Sequence, residues 1–254
     1  MCFEPTARPP EPPRTGLAAG TERLTLVASD GNEAAATFAA TSADSAPGVV
    51  ILPDVRGLHP YYEALAEAFA GAGVHALAVD FYGRTAGPGH RDGEFDYAPH
   101  RAAVTDEQVR ADARAARAEL ERRGVRRVYV LGFCFGGRAA FLQGTEEGVA
   151  GVVGFYGWPA RQEEGGTSPL EEARAGRLEA PVLALYGGAD ERIPEDDAVA
   201  FAEALRAAHV PAETIVYDGA PHSFFDRSMS DHAEACEDAW FRVFRFMGLA
   251  TLQT

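Results

Sequence analysis

Cys134 stands between two glycines in Gly132-Phe133-Cys134-Phe135-Gly136, the G-x-C-x-G form of a turn that presents a nucleophile where a strand meets a helix. The central residue of such a turn takes a positive φ while the strand and helix backbones nearly touch, so the positions two on either side accept only glycine. The run 128–131 reads as the strand this turn needs, and 138–142 as the helix. A thiol placed there can attack a carbonyl carbon if a base takes its proton and a third group orients the base. Two residues meet those needs. Asp190 follows the apolar run 182–186 across Gly187-Gly188-Ala189, and His222 lies in Asp218-Gly219-Ala220-Pro221-His222-Ser223-Phe224, after the run 214–216. Nucleophile, acid and histidine in that chain order imply acyl transfer through a covalent intermediate.

Other residues compete for these roles. Asp196, Asp197 and Asp226 are carboxylates close enough in sequence to replace Asp190, and Cys134 can also be read as an inert buried cysteine beside a glycine-rich turn. Among the histidines, His75 falls in a strand, His209 and His232 in helical stretches at the surface, and His90 and His100 in a polar loop. His59, after Gly57-Leu58, fits a pocket wall and a surface turn equally well.

The elements that must position these groups follow from the hydrophobic pattern. Segment 24–28 alternates apolar and polar residues, turns at Asp30-Gly31-Asn32 and resumes over 36–39, which predicts a hairpin with one face covered. From Gly48 onward the pattern becomes continuous apolar runs at 49–52, 74–79, 128–131, 149–155, 182–186 and 214–216. Runs of that kind mark parallel strands buried on both faces. Helical stretches at 61–72, 106–123, 136–144 and 196–208 separate them, the second opened by a Thr105/Gln108 capping box and closed by Gly124. A last helix over 232–247 carries Ala233, Cys236, Trp240, Val243, Phe244 and Met247 on one stripe, for packing on the sheet. The sum is a doubly wound α/β fold, a mostly parallel sheet with an N-terminal antiparallel hairpin, whose ligands bind beyond the carboxyl ends of the strands. Residues 1–20, with Pro9-Pro10 and Pro12-Pro13, read as an extended arm, and 21–254 as one domain.

Composition excludes several function classes. The net charge of -15 repels phosphate backbones and anionic membranes, so neither nucleic acid nor a membrane is expected as a partner. All 23 basic residues are arginine, which removes Schiff-base enzymes, Ser-Lys dyads and the lysine of a phosphate-binding loop. Cys2, Cys134 and Cys236 have no framework spacing, the N-terminus lacks the apolar core of a signal peptide, and no stretch approaches the roughly 20 apolar residues of a membrane span. A cytoplasmic location is the expectation.

Taken together these residues resemble the dienelactone hydrolases of the α/β-hydrolase superfamily. The similarity runs over 48–247 and rests on the stretches 49–57, 80–84 and 132–137 and on Asp190 with His222-Ser223-Phe224. The cysteine elbow is the most specific of these, because most α/β-hydrolases carry serine there. The resemblance implies a Cys134, His222, Asp190 triad that needs no metal or organic cofactor. It implies an oxyanion hole from the backbone amides of Val55 and Phe135, and hydrolysis of a small lactone or carboxylic ester by a monomer or small homo-oligomer. In the family, a glutamate after the first parallel strand contacts the resting thiol and moves when an anionic substrate arrives; Asp54 stands there, one methylene shorter. Two arginines hold the substrate carboxylate in the family's type enzyme, and Arg84 and Arg227 lie at or near their positions, the second displaced by one residue. The aromatic residues that follow the first arginine have no counterpart in 85–89. A broad carboxylesterase for neutral esters, and a non-catalytic ligand-binding protein on the same scaffold, are the alternatives.

Overall fold

Unbroken runs of valine, leucine and alanine lose least free energy to water when both faces of the strand are covered, and that is where the chain puts them. The computed structural model describes residues 7–13, 16 and 18–249. A hairpin of β1 (Gly20–Val27) and β2 (Glu33–Ala40) leads into the parallel strand β3 (Gly48–Leu52). There follow α1 (Pro60–Gly71), β4 (His75–Val79), α2 (Gly83–Ala86), α3 (Ala98–Ala103), α4 (Asp106–Arg122), β5 (Val128–Phe133) and α5 (Phe135–Gln143). The chain continues through β6 (Val149–Phe155), α6 (Pro169–Arg174), β7 (Val182–Gly187), α7 (Glu195–Ala207), β8 (Ala212–Tyr217) and α8 (Ala233–Phe246).

The strands form one sheet in the order β1-β2-β4-β3-β5-β6-β7-β8, antiparallel at β1-β2 and β2-β4 and parallel beyond. Helix α1 joins α8 through Phe69, whose ring centroid lies 4.9 Å from that of Trp240 and 5.9 Å from that of Phe244. Helices α4, α5, α6 and α7 touch one another in succession. These two groups cover the sheet's two faces, so every residue of β3, β5 and β7 is buried. The α8 stripe is Cys236, Ala239, Trp240, Val243 and Phe244, with Met247 just beyond; Ala233 opens the helix in solvent, and Ala239 lies on the stripe.

Other differences from the pattern have local reasons. Strand β2 is buried on both faces rather than one, because it is an inner strand between β1 and β4 and carries alanines small enough for α1 and α2 to close over it. Strand β1 is the exposed edge. His209 lies past the end of α7, at φ 59°. The Thr105 capping box forms, and Gly124 takes φ 91°, as their residue types require. Of the N-terminal arm, residues 1–6, 14, 15 and 17 fall outside the described residues; the Pro10 carbonyl accepts a hydrogen bond of 2.9 Å from Trp240 Nε1.

Arg84 belongs to this framework and does not reach toward the carboxyl-end cleft. Its guanidinium lies 2.7 Å from Asp112 on α4 and 2.8 Å from Asp30 in the hairpin turn. Asn32 Nδ2 donates to the same Asp112 carboxylate at 2.9 Å. Asp112 is fully buried, and burial holds its pKa above the usual carboxylate range despite both partners. Loss of Arg84 would strand that charge. Arg84→Ala is therefore expected to lower unfolding stability by about 3 kcal/mol in urea denaturation while leaving KM at its wild-type value.

Candidate active site

Strand β5 ends at Phe133 and α5 begins at Phe135, leaving Cys134 as the hinge, with φ 53° and ψ -112°. A side chain pays steric strain in that region, and here the neighbouring backbone enforces it. A Cβ on Gly132 would lie 2.0 Å from the Gly136 carbonyl oxygen, and one on Gly136 would lie 2.2 Å from that of Pro53. Both contacts are backbone against backbone and cannot be relieved by a rotamer change. The Cys134 amide donates to the Phe155 carbonyl at 3.0 Å, and its carbonyl accepts from the Arg138 amide at 3.1 Å. Main-chain bonds thus hold the hinge between β6 and α5.

Asp190 and His222 meet at the ends of the next two strands. Asp190 Oδ2 lies 2.7 Å from His222 Nδ1, and Asp190 Oδ1 accepts from the amides of Arg192 (2.8 Å) and Ile193 (3.3 Å). Burial works to raise the Asp190 pKa, but the His222 hydrogen bond and these amides hold it below the usual range. A carboxylate on Nδ1 assigns the proton to that nitrogen, leaving Nε2 as the acceptor. Nε2 is buried and has no hydrogen-bond partner among the described residues. The ring packs 4.9 Å from Tyr156 and 5.3 Å from Trp158, centroid to centroid. Of the other carboxylates, Asp196 and Asp197 lie in the first turn of α7, away from the imidazole.

The peptide after β3 is fixed from both sides. The Asp54 amide donates to the Tyr62 hydroxyl at 3.1 Å, and the Tyr82 hydroxyl donates to the Val55 carbonyl at 2.7 Å. The Val55 amide itself is left without an acceptor among the described residues. Phe135 is the first residue of α5, so its amide has no intrahelical acceptor, and it favours the Cys134 thiolate.

Asp54 is occupied by Arg56. Its Oδ1 accepts from the Arg56 amide and Nε, each at 2.9 Å, and its Oδ2 pairs with the same guanidinium. Asp226, weighed in the sequence as an alternative to Asp190, is 2% exposed. Its Oδ2 accepts from the Tyr156 hydroxyl at 3.3 Å and lies 3.9 Å from Arg56, and its other oxygen meets the Arg227 amide. One arginine therefore serves two buried acids. Burial, with Asp54 nearby, pushes Asp226 up to about 7. Burial and the Asp54 charge push the Cys134 thiol up to about 12.

Cys134 opens into a cleft of about 790 Å³ walled by Val55, Phe135 and Trp158, by α3, and by the loop before α6. Arg227 lines it, as expected from its position. So do Arg101, Arg161 and Arg192, none of which carries a sequence signal separating it from surface arginines. His59 caps α1, its Nδ1 accepting from the Tyr61 amide at 3.3 Å, and takes no place in the cleft wall.

Two outcomes follow. Gly136→Ala must push Pro53 and Leu52 away and is expected to cost about 3 kcal/mol of stability in denaturant titration. Asp226 has a folded pKa above its unfolded value, so its protonated form stabilises the fold below about pH 4, and that contribution is lost as pH rises through about 7. Asp226→Asn should accordingly flatten the decline of the urea midpoint between about pH 5 and about pH 8 relative to wild type.

Residues 35–251 match the model of the dienelactone hydrolase family. A provisionally assigned carboxymethylenebutenolidase of Escherichia coli O157:H7 is 34% identical over 207 residues, covering 78% of this chain and 74% of the relative. One of Salmonella typhimurium, assigned in the same way, is 30% identical over 257 residues, covering 95% and 93%. The crystal structure of a provisionally assigned dienelactone hydrolase from Klebsiella pneumoniae superposes with a TM-score of 0.78 at 27% identity, over 91% of this chain and 99% of that one. Sequence and sheet agree along nearly the whole chain, and the chain belongs to the dienelactone hydrolase family.

Proposed function

We propose that this protein hydrolyses a small carboxylic ester or lactone through a thioester on Cys134, with His222 as base and acid and Asp190 as its orienting partner. The observation that carries this reading is the buried, unpartnered Nε2 of an imidazole whose Nδ1 is tied to a carboxylate, packed on Trp158 of the cleft into which the elbow cysteine opens.

Electrostatics decides the order of events. Burial and the Asp54 charge push the thiol up to about 12, so in this reading the proton leaves the sulfur in the attacking step and not before it. Sγ loses its proton to His222 Nε2 as it bonds to the carbonyl carbon, and the imidazolium formed is stabilised by Asp190. The carbonyl oxygen takes up the negative charge between the Val55 and Phe135 amides. Collapse breaks the bond to the leaving oxygen, which receives the proton from Nε2; in a lactone that alcohol stays tethered to the acyl group. Water, deprotonated by His222, then attacks the thioester, and the sulfur leaves and regains its proton. The catalytic unit in this reading is one domain over 21–254, with residues 1–20 as an arm.

The cleft walls favour an anionic acyl or alcohol portion. Arg192 and Arg227 have no ion-pair partner among the described residues and line the cleft of a chain whose net charge is -15. A guanidinium at such a site presents a planar fork to a carboxylate.

The test is a screen of small esters and lactones with Cys134→Ala alongside. Activity is expected to fall by about 10³-fold or more in the variant, and acid-quenched wild type should carry the acyl mass on the peptide containing Cys134. Full activity in Cys134→Ala would refute the assignment.

A further inference from the structure

Among the described residues the sheet ends on each side in a strand with one free edge, and the two edges are finished differently. On β1, Arg23 is paired with Glu63 and Asp92, and Glu22 with Arg123; fixed charge of that kind keeps another strand from adding to an edge. Strand β8 has no such guard. Its one charged residue, Glu213, is held by Arg242 and Arg245 of α8 on the opposite face from α7.

The backbone of β8 divides by parity. The Val182 amide donates to the Pro211 carbonyl at 2.9 Å and the Gly188 amide to the Tyr217 carbonyl at 2.7 Å, so in this parallel register the odd-numbered residues turn their amides and carbonyls to β7. Ala212, Thr214 and Val216 turn theirs outward, away from the sheet. The same three residues line a groove of about 440 Å³ whose other wall is α7. Val199 and Val216, 49% and 44% exposed, are two of the four large apolar side chains left in solvent among the described residues, and both stand in this groove.

The α7 wall is self-complementary in charge. Glu195, Val199, Ala202 and Arg206 follow one another at helical spacing along the groove, acid at one end and base at the other, and neither charged group has an ion-pair partner among the described residues. About a two-fold axis that sets the helix antiparallel to itself, Glu195 meets Arg206 of a second copy, and Val199 meets that copy's Ala202. The same axis serves the strand. With Thr214 opposite Thr214 and Ala212 opposite Val216, antiparallel pairing uses every outward amide and carbonyl of β8. The centres of strand and helix are level, because Val216 lies beside Glu195 and Ala198 at one end, and Ala212 follows the end of α7 at the other.

From this geometry we propose that the protein is a two-fold dimer in which β8 pairs antiparallel with β8 of a second copy and α7 packs on α7, making one sheet of both chains. Such an interface is isologous, one patch meeting itself. It leaves the candidate active site open: none of the groove residues lines the Cys134 cleft, and antiparallel strands send the two clefts to opposite ends of the joined sheet. The proposal does not depend on the ester-hydrolase reading.

Sedimentation velocity of the full chain over a dilution series tests it, with a dimer expected at about 50 µM that dissociates on dilution. Thr214→Pro removes one outward amide and no bond to β7, so the chain is expected to keep its far-UV circular dichroism and to sediment as a monomer. Arg206→Glu sets acid against acid at both ends of the interface and is expected to raise the dimer Kd about tenfold. Adding Glu195→Arg to it restores opposite charges and should return Kd to within about threefold of wild type. If Thr214→Pro does not fold, the charge reversal and its rescue decide the matter. A wild-type monomer at about 50 µM, a folded Thr214→Pro that remains dimeric, or a Kd that Glu195→Arg does not recover would overturn the proposal.

Discussion

The contact on which the site depends is backbone against backbone. Where β5 hands over to α5, the Gly132 and Gly136 main chains approach so closely that no Cβ fits, and Gly136 also abuts the end of β3 at Pro53. This packing forces Cys134 into positive φ and puts the first amide of α5 beside it. It also presses the turn after β3 against the same point, and Val55 lines the same cleft as Cys134. Two tyrosines, Tyr62 and Tyr82, then lock that peptide by hydrogen bonds. The thiol and the amides proposed as oxyanion donors share a rigid frame because one close approach positions both.

Charge is distributed around this frame in two opposed layers. Around the sulfur, burial first and then the charge of the buried Asp54, which with Asp226 shares one arginine, disfavour a resting thiolate. Above it, the cleft walls carry arginines in a chain otherwise rich in acid. In the proposed reading His222 therefore accepts the thiol proton in the step in which the carbon–sulfur bond forms. Asp54 differs here from the glutamate of the family pattern in a physical respect. Both of its oxygens are bound to Arg56, two residues along the same turn, so it acts on the sulfur through its field and not as a hydrogen-bond partner.

The sheet and the elbow were legible in the sequence because each rests on a local rule. Apolar runs of strand length, the Thr105/Gln108 box, Gly124 and the glycine pair around Cys134 each report a backbone requirement that few residue types satisfy. The short helices α2, α3 and α6 carry no apolar period to announce them; α6 does open on a capping box, Ser168 with Glu171, that a search for longer helices passes over. The double burial of β2 was hidden because alternation cannot report which strand lies beyond a hairpin. The burial of Asp226 was hidden for a related reason: nothing in Phe224-Phe225-Asp226-Arg227 says that the aspartate turns inward and the arginine outward.

The arginines mark where this kind of reading stops. A guanidinium reaches far from its Cα, and its partner decides its direction, so position in a motif constrains it weakly. Arg84 keeps the motif position after β4, yet Asp112 and Asp30 draw it to the hairpin side. Arg101 has no motif, yet Phe135 and Glu163 hold it over the nucleophile's helix. The elbow cysteine and the amides beside it are placed by main-chain geometry. The direction of each arginine is set by side-chain pairing across elements distant in sequence, as Asp112 sets that of Arg84. In the proposed reading, Cys134 and the Val55 and Phe135 amides are fixed by the main chain, while side-chain pairing of the kind that holds Arg84 on Asp112 sets which charges face the substrate.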